Sequence, residues 1–237
     1  MTRRRWIADQ VSGSSAILTG SHAQHLSRVL RAKIGQEFDV AVNGELRRGR
    51  IVHIDDSRVE FELGDPVPAV AALHVTLALS IFKFDRMEWA IEKCTELGVT
   101  RIIPVIADRT DKHLAAASTK RADRWRRLAT QASEQSRRLA APDISPPTNL
   151  KELLSIPAAH RIVLSEIEQD TTLMDALTAV QSTQALALAI GPEGGWTENE
   201  LKLFSEAGWT PASLGGTILR VETAAIAALA IVQSELN

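Results

Sequence analysis

The stretch that most constrains this 237-residue chain runs from Ala185 to Gln233. Ala185–Ile190 carries no charge and stops at Gly191-Pro192, which is how a strand buried on both faces of a parallel sheet reads. Gly191, Gly194 and Gly195 follow in a turn whose main-chain groups can approach a ligand closely, with Glu193 inside it. Thr197–Glu200 (T-E-N-E) is a capping box that opens a helix, with Trp196 and Leu201 spaced as a hydrophobic staple and Gly208 as the stop. A second glycine turn, Leu214-Gly215-Gly216, leads through Arg220, Glu222 and Thr223 into Ala224–Val232. That run has no charge and is predicted to be a helix buried on all sides. Two glycine turns and a few ionisable groups therefore gather at one edge of a parallel sheet, the edge where open α/β sheets bind ligands.

Upstream, Gly64–Pro68 is a linker by composition, which divides the chain into residues 1–68 and 69–237. The first part is β-rich: Glu37–Val42 alternates, Asn43-Gly44 signals a hairpin, and Leu46–Ile54 and Arg58–Leu63 follow. One short helix interrupts it, with Ser21 as cap and Leu26, Val29 and Leu30 as inner face. After the linker, strand Leu73–Phe82, a helix opened by an Asp85-x-x-Glu88 box and strand Arg101–Ile106 predict a right-handed parallel crossover. Trp89, Ile91, Cys94 and Leu97 would line that helix's inner face, and Pro104 is awkward for a central strand. Arg109–Leu114 reads as a polar loop. Ser118 or Thr119 then opens a helix to Arg138 with Trp125, Leu128 and Ala132 inward. Short helix Leu150–Leu154, strand Arg161–Ser165 and helix Leu173–Val180 complete an α/β pattern.

The net charge of −2 argues against a general polyanion binder, but the charge is segregated. Residues 71–138 hold 13 basic against 8 acidic groups, residues 1–70 hold 10 against 9, and residues 139–237 only 4 against 12. Basic surface in the first two thirds suits a polyanion, or a solvated helix face, while the last third does something other than neutralise phosphate. Cys94 is the single cysteine, so no internal disulfide forms and a reducing compartment is expected. No apolar segment follows Arg3–Arg5 as an export signal requires, and no run is long enough to span a bilayer. His22 and His25 lack a third ligand nearby, so no metal site is expected. The chain has no G-x-S-x-G, no Walker A and no G-x-G-x-x-G motif.

Four blocks in order carry a family resemblance: His25–Gly35 (HLSRVLRAKIG), Asp85–Gly98 (DRMEWAIEKCTELG), Glu134–Arg138 (EQSRR), and GPEGG-W-T-E-N-E with L-G-x-x-I-L-R-x-E-T-A. Together they resemble the RsmE-type SPOUT methyltransferases, which use S-adenosyl-L-methionine to methylate uridine N3 of 16S ribosomal RNA in the small ribosomal subunit. The resemblance implies an α/β C-terminal SPOUT domain with a parallel sheet and a trefoil knot, behind a small N-terminal PUA-like or OB-like β-barrel that binds RNA. It also implies a homodimer, in keeping with the cytoplasmic location that the single cysteine suggests. Thr217-Ile218 stands where a basic residue often precedes the I/V-L-R, which leaves Arg220 as the only cation of that loop.

By the same resemblance the cofactor pocket draws on Leu164, Glu166, Ile190, Gly191, Pro192, Glu193, Gly194, Leu214, Gly215, Gly216, Leu219, Glu222, Thr223 and Ala224. Arg220 is assigned to orient the target nucleotide and to stabilise charge developing on the uracil; a structural salt bridge to Glu222 or Glu193 is the plain alternative. Uracil N3 must lose a proton, and the sequence leaves Glu193 and Glu222 equally open as its acceptor. Arg3, Arg4, Arg5, Arg28, Arg31, Lys83, Arg86, Arg109, Arg137 and Arg138 are candidates for RNA phosphates. A non-catalytic RNA-binding or ribosome-assembly factor retaining the fold is the rival reading, separated by whether S-adenosylmethionine binds.

Overall fold

The computed structural model describes residues 5–42, 45–67, 73–181 and 183–236. They form two units, Met1–Val70 with Arg137–Ala140, and Ala71–Ser136 with Ala141–Asn237.

In the N-terminal unit, β1 (Arg5–Ile7), β2 (Gln10–Ser12), β3 (Ser15–Thr19), β4 (Glu37–Val42), β5 (Glu45–Ile54) and β6 (Arg58–Pro66) make a curled sheet. Its order is β1-β4-β5-β6-β3-β2, antiparallel except for β1 on β4. Alternation sends Val40, Ile51, Val59 and Phe61 inward to meet Trp6, Leu18 and Leu26. Asn43-Gly44 lies outside the described residues, although Val42 faces Glu45 across the antiparallel pair.

Two expectations change here. β6 runs on through Gly64 to Pro66, and the Val67 N–H reaches the Leu46 carbonyl, so a strand occupies most of the stretch that composition assigns to a linker. Pro66 is tolerated because it ends the strand. Helix α1 (Gly20–Gln24) has Thr19 rather than Ser21 at its N-cap and passes into a π-helical turn, His25–Val29. The wider turn rotates the inner face, leaving Leu26 buried and Val29 66% exposed.

The second unit is a parallel sheet built from β7 (Val75–Ser80), β8 (Arg101–Ile106), β9 (Asp143–Ile144), β10 (Thr148–Asn149), β11 (His160–Leu164), β12 (Leu186–Ile190) and β13 (Thr210–Ala212). The order is β10-β8-β7-β12-β11-β13, with β9 also on β8. All five residues of β12 are buried, as an uncharged strand between two neighbours requires. Pro104 sits inside β8, opposite Leu79 of β7. On the other side of β8, β9 pairs with residues 101–102 and β10 with 105–106, so the missing N–H falls in the gap between two short strands.

Helices α2 (Phe84–Glu96), α3 (Lys112–Gln135), α4 (Leu150–Leu154), α5 (Leu173–Leu177), α6 (Glu198–Glu206) and α7 (Val221–Leu236) cover the sheet. α2 begins one residue before the expected box, and Lys83 at its N-cap makes no side-chain cap. Glu88 instead receives Arg124, at 2.6 and 2.8 Å, and Arg121 at 3.5 Å. Met87, Ala90, Ile91 and Cys94 face the core, which turns Trp89 outward, 48% exposed, against expectation. α3 starts at Lys112 rather than at Ser118, because the Asp111 carboxylate accepts the His113 and Leu114 N–H groups. Ser118 bonds back to the Ala115 carbonyl within the helix. α5 ends at Leu177, three residues short of the expected Val180.

α6 forms as read. Thr197 and Glu200 make the reciprocal capping box, Trp196 packs edge-on to Phe204 at 4.9 Å, and Gly208 takes φ +75° past the helix end. α7 does not: Val221, Glu222, Ala225, Ala228, Leu229 and Val232 are buried at 3–4 spacing, while Thr223 and Ala230 are exposed. A helix apolar all round is thus covered on one side only within a single chain.

Candidate functional site

Leu164, Ile190 and Ala212 end three strands side by side, through the β11–β12 and β11–β13 pairings. The loops that leave them, 165–172, 191–197 and 213–220, must therefore meet at one edge of the sheet. Hydrogen bonds lace the first to the third: Ser165 N–H to the Ala212 carbonyl, Ser213 N–H to Thr171 and Leu173 N–H to Ser213, each 2.9 Å. The Trp196 indole N–H donates to the Leu164 carbonyl at 3.1 Å, tying the second loop to the first from below.

Between the loops lies a cavity of about 720 Å³, within the range of pockets that enclose a drug-sized ligand. Leu164, Ile190, Pro192, Leu214 and Leu219 give it apolar walls, and Gly191, Gly195, Gly215 and Gly216 expose main chain to it. Gly195 is required by its backbone: its φ is +69°, which side-chain-bearing residues rarely adopt, and a Cβ there would also displace the Glu166 carboxylate. Four carboxylates, on Glu166, Glu168, Glu193 and Glu222, line the wall against two cations, Arg86 and Arg220. The excess of negative charge suits a cationic ligand and disfavours a phosphate. Glu168 is partly committed, accepting the Asp170 and Thr171 N–H groups at 2.9 and 3.0 Å.

Of the sequence-derived cofactor residues, Leu164, Glu166, Ile190, Gly191, Pro192, Glu193, Leu214, Gly215, Gly216, Leu219, Glu222 and Ala224 border the cavity. Gly194 and Thr223 do not. Gly194 turns toward the Arg109 side chain, and Thr223 sits on the exposed side of α7. Residues that sequence reasoning missed also line it, among them Ser165, Gln169, Thr172 and Ile218. Ile218 is 89% exposed at the mouth. The Thr172-x-x-Asp175 capping box was the available signal for this loop. Its Thr172 hydroxyl and N–H hold the Asp175 carboxyl below the usual carboxylate range.

The two candidate proton acceptors differ. Glu193 is exposed at the turn and, among the described residues, has no hydrogen bond or ion pair. Glu222 is 6% exposed and stands 3.8 Å from the Arg86 guanidinium. Arg220 is exposed and pairs with neither of them among the described residues.

The residues assigned to RNA phosphates split. Arg3, Arg4 and the side chain of Arg5 lie outside the described residues. Arg31 and Lys83 are exposed, and Arg28 is exposed but paired with Asp56 at 2.6 Å, which holds that carboxyl down and the guanidinium pKa up. Arg137 stacks on the Trp6 ring at 4.5 Å, and burial lowers the pKa of Arg138. Two residues depart from that assignment. Arg86 faces the cavity, and Arg109 donates to the Gly194 carbonyl at 2.5 Å and to the Trp196 carbonyl at 3.4 Å. The Arg109 loop is fastened further by the Asp108 N–H on Glu200 at 2.8 Å and the Thr197 hydroxyl on Asp108 at 3.3 Å. His22 and His25 flank the Trp6 ring, His22 pairing with Asp9 at 3.3 Å. Among the described residues no three His, Cys, Asp or Glu side chains group as metal ligands, and no helix is long and apolar enough to cross a membrane.

Known proteins resemble this chain along most of its length. Residues 70–233 match the model of the RNA methyltransferase domain and residues 18–64 that of the RNA methyltransferase PUA domain. A ribosomal RNA small subunit methyltransferase E from Synechocystis sp. is 32% identical, over 97% of this chain and 76% of the relative. The protein of the same name from Rickettsia conorii is 29% identical over 97% and 94%. Among solved structures, the Neisseria gonorrhoeae ribosomal RNA small subunit methyltransferase E bound to S-adenosyl methionine superposes with a TM-score of 0.71. It is 29% identical, with 99% of this chain and 98% of that one covered. A Legionella pneumophila protein in complex with the bound cofactor SAM gives a TM-score of 0.68 at 28% identity, over 99% and 98%.

Proposed function

The chain belongs to the RNA methyltransferase family, and from that premise we propose that it uses S-adenosylmethionine to methylate N3 of a uridine in 16S ribosomal RNA. The observation that carries the reading is the glycine-turn cavity with its excess of carboxylates, in a chain whose relatives are named as small-subunit RNA methyltransferases and were solved with the cofactor. S-adenosylmethionine is a cation that, when bound, supplies an activated methyl group on sulfur. The residues fit it: Leu164, Ile190 and Leu219 offer apolar surface to an adenosine, and the main chain at Gly191, Gly195, Gly215 and Gly216 offers donors and acceptors without side chains in the way. Gly194 serves this turn through its carbonyl on Arg109 rather than as wall. Thr223 contributes to the start of α7.

Of the two candidates, Glu193 takes the N3 proton in this reading, because among the described residues its carboxylate has no hydrogen bond or ion pair, whereas Glu222 stands beside the Arg86 guanidinium. Arg220, exposed at the mouth, orients the incoming nucleotide. RNA is held by Arg28, Arg31, Lys83, Arg137 and Arg138, together with the basic N-terminal residues Arg3, Arg4 and Arg5. A homodimer through α7 is supported by its exposed Ala230 and Thr223, flanked by half-buried Ile226, Ala227 and Ile231. The trefoil knot, the closed PUA-like barrel, the domain division near residue 68 and the cytoplasmic location belong to the same proposal.

Mass mapping of small-subunit RNA from a strain lacking the gene tests it. One N3-methyluridine should vanish and return with the wild-type gene. An unchanged modification map would refute the reading.

A further inference from the structure

Arg86 is the third residue of α2, and its guanidinium enters the cavity beside Glu222. The pair is separated by 3.8 Å, too far for a hydrogen bond, and among the described residues neither side chain has a hydrogen-bond partner. A half-buried guanidinium therefore holds its N–H donors toward a cavity with no acceptor assigned to them, next to a carboxylate that is 6% exposed. The cavity opens these donors to solvent, so they are free to take an acceptor on a ligand that enters it. Arg220, the other cation of the wall, is exposed, where water weakens what its charge can do. At about 4 Å a unit charge interacts by roughly 1 kcal/mol in water and about 4 kcal/mol near a protein surface of lower dielectric.

We propose that Arg86 is a catalytic residue that binds the uracil as its N3 anion, and that Glu222 is the positioning residue that keeps the guanidinium aimed. This rests on the methyltransferase reading and moves the charge-stabilising task from Arg220 to Arg86. When N3 gives its proton to Glu193, the negative charge spreads onto O2 and O4. The flat N–H fork of Arg86 donates to one of those carbonyl oxygens, a directional contact that the point charge of a lysine does not reproduce, and leaves the N3 electron pair free. The N3 electron pair then forms the bond to the methyl carbon, and the sulfur keeps the pair of the broken S–C bond. Arg86 contributes most when charge on the uracil is greatest, so it accelerates the step rather than tightening binding.

The test uses the full chain with a small-subunit RNA fragment carrying 5-fluorouridine at the position that mass mapping identifies. Fluorine acidifies N3 and gives a 19F signal that reports its ionisation directly. The wild-type protein should lower the ionisation midpoint of the bound base relative to free RNA, and Arg86→Ala should return it to the free value. On unmodified RNA, Arg86→Ala should lose about 100-fold in kcat, with the salt dependence of RNA binding unchanged. Arg86→Lys leaves a cation beside Glu222, so it folds even where the alanine variant does not, and it should keep only part of the midpoint shift. The proposal is overturned by an unshifted midpoint in the wild type, or by a full-strength shift in the lysine variant. It is also overturned by variants that lose RNA affinity and salt slope at unchanged kcat, the mark of a phosphate contact. Failure of the parent reading is seen earlier and separately, as an unchanged modification map.

Discussion

Arginine does different work in the two units. In the N-terminal unit Arg28 and Arg31 stand at the surface, and the only carboxylate close to either in the described residues is Asp56, itself exposed. In the second unit Arg86 and Arg109, which look the same in sequence, are turned onto the ligand edge of the sheet, one into the cavity and one onto the carbonyls of the glycine turn. The difference teaches that a basic residue's role is set by the acceptors the fold brings to it. Clustering of positive charge along the chain does not reveal those acceptors.

The sharpest way to break the comparison is to distort the ligand edge without touching any charge. Gly195→Ala forces a left-handed backbone on a residue with a side chain and pushes the Glu166 carboxylate out of its place on the cavity wall. Calorimetry should show S-adenosylmethionine binding weakened by about 100-fold, or roughly 2.8 kcal/mol, with RNA affinity retained. Undiminished cofactor binding would mean that this turn does not form the site. A smaller effect is expected from Arg109→Ala, which frees the Gly194 and Trp196 carbonyls: cofactor affinity should fall by about tenfold, in line with the ~1.5–3 kcal/mol of a charged hydrogen bond partly replaced by water. The slope of log affinity against log salt for RNA should not move. A slope that shrinks would return Arg109 to the phosphate-binding class and erase the distinction between the units.

Arg31→Ala should do the reverse, weakening RNA binding across sequences and reducing that slope by about 0.7–0.9, with the cofactor titration unaffected. Arg28→Ala should act in the same direction but less, because Arg28 must first leave Asp56. The smallest effect concerns Cys94, whose thiol pKa burial pushes up to about 12. Its folded pKa is above the unfolded one, so the contribution to stability is complete below about pH 8.5 and drains away as pH rises toward 12. Denaturant midpoints should therefore fall in that window for the wild type and fall less for Cys94→Ala.

Much of this was legible because it is local. The Thr197/Glu200 capping box, the Gly208 stop and the uncharged β12 each depend on residues within a few positions, and each formed as read. The α3 start was missed because Asp111 caps a first turn with little apolar periodicity of its own, Lys112-His113-Leu114, so the helix announces itself only at Ser118 and beyond. Trp89 was misread because spacing alone cannot say which side of α2 faces the sheet; Met87, Ala90, Ile91 and Cys94 decide it together. The Arg86–Glu222 and Arg109–Gly194 contacts join residues 136 and 85 positions apart, brought together by strand order. No one-dimensional pattern encodes them. α7 shows the converse case: its uniform apolarity was plain, but one chain cannot bury all of it.

The most direct measurement is a calorimetric titration of the 237-residue chain with S-adenosylmethionine, in parallel with its Gly195→Ala variant. The wild type should show a saturable binding heat with one site per chain, and the variant a drastic weakening. A flat wild-type titration, or a variant that binds as well as the wild type, would contradict the methyltransferase reading.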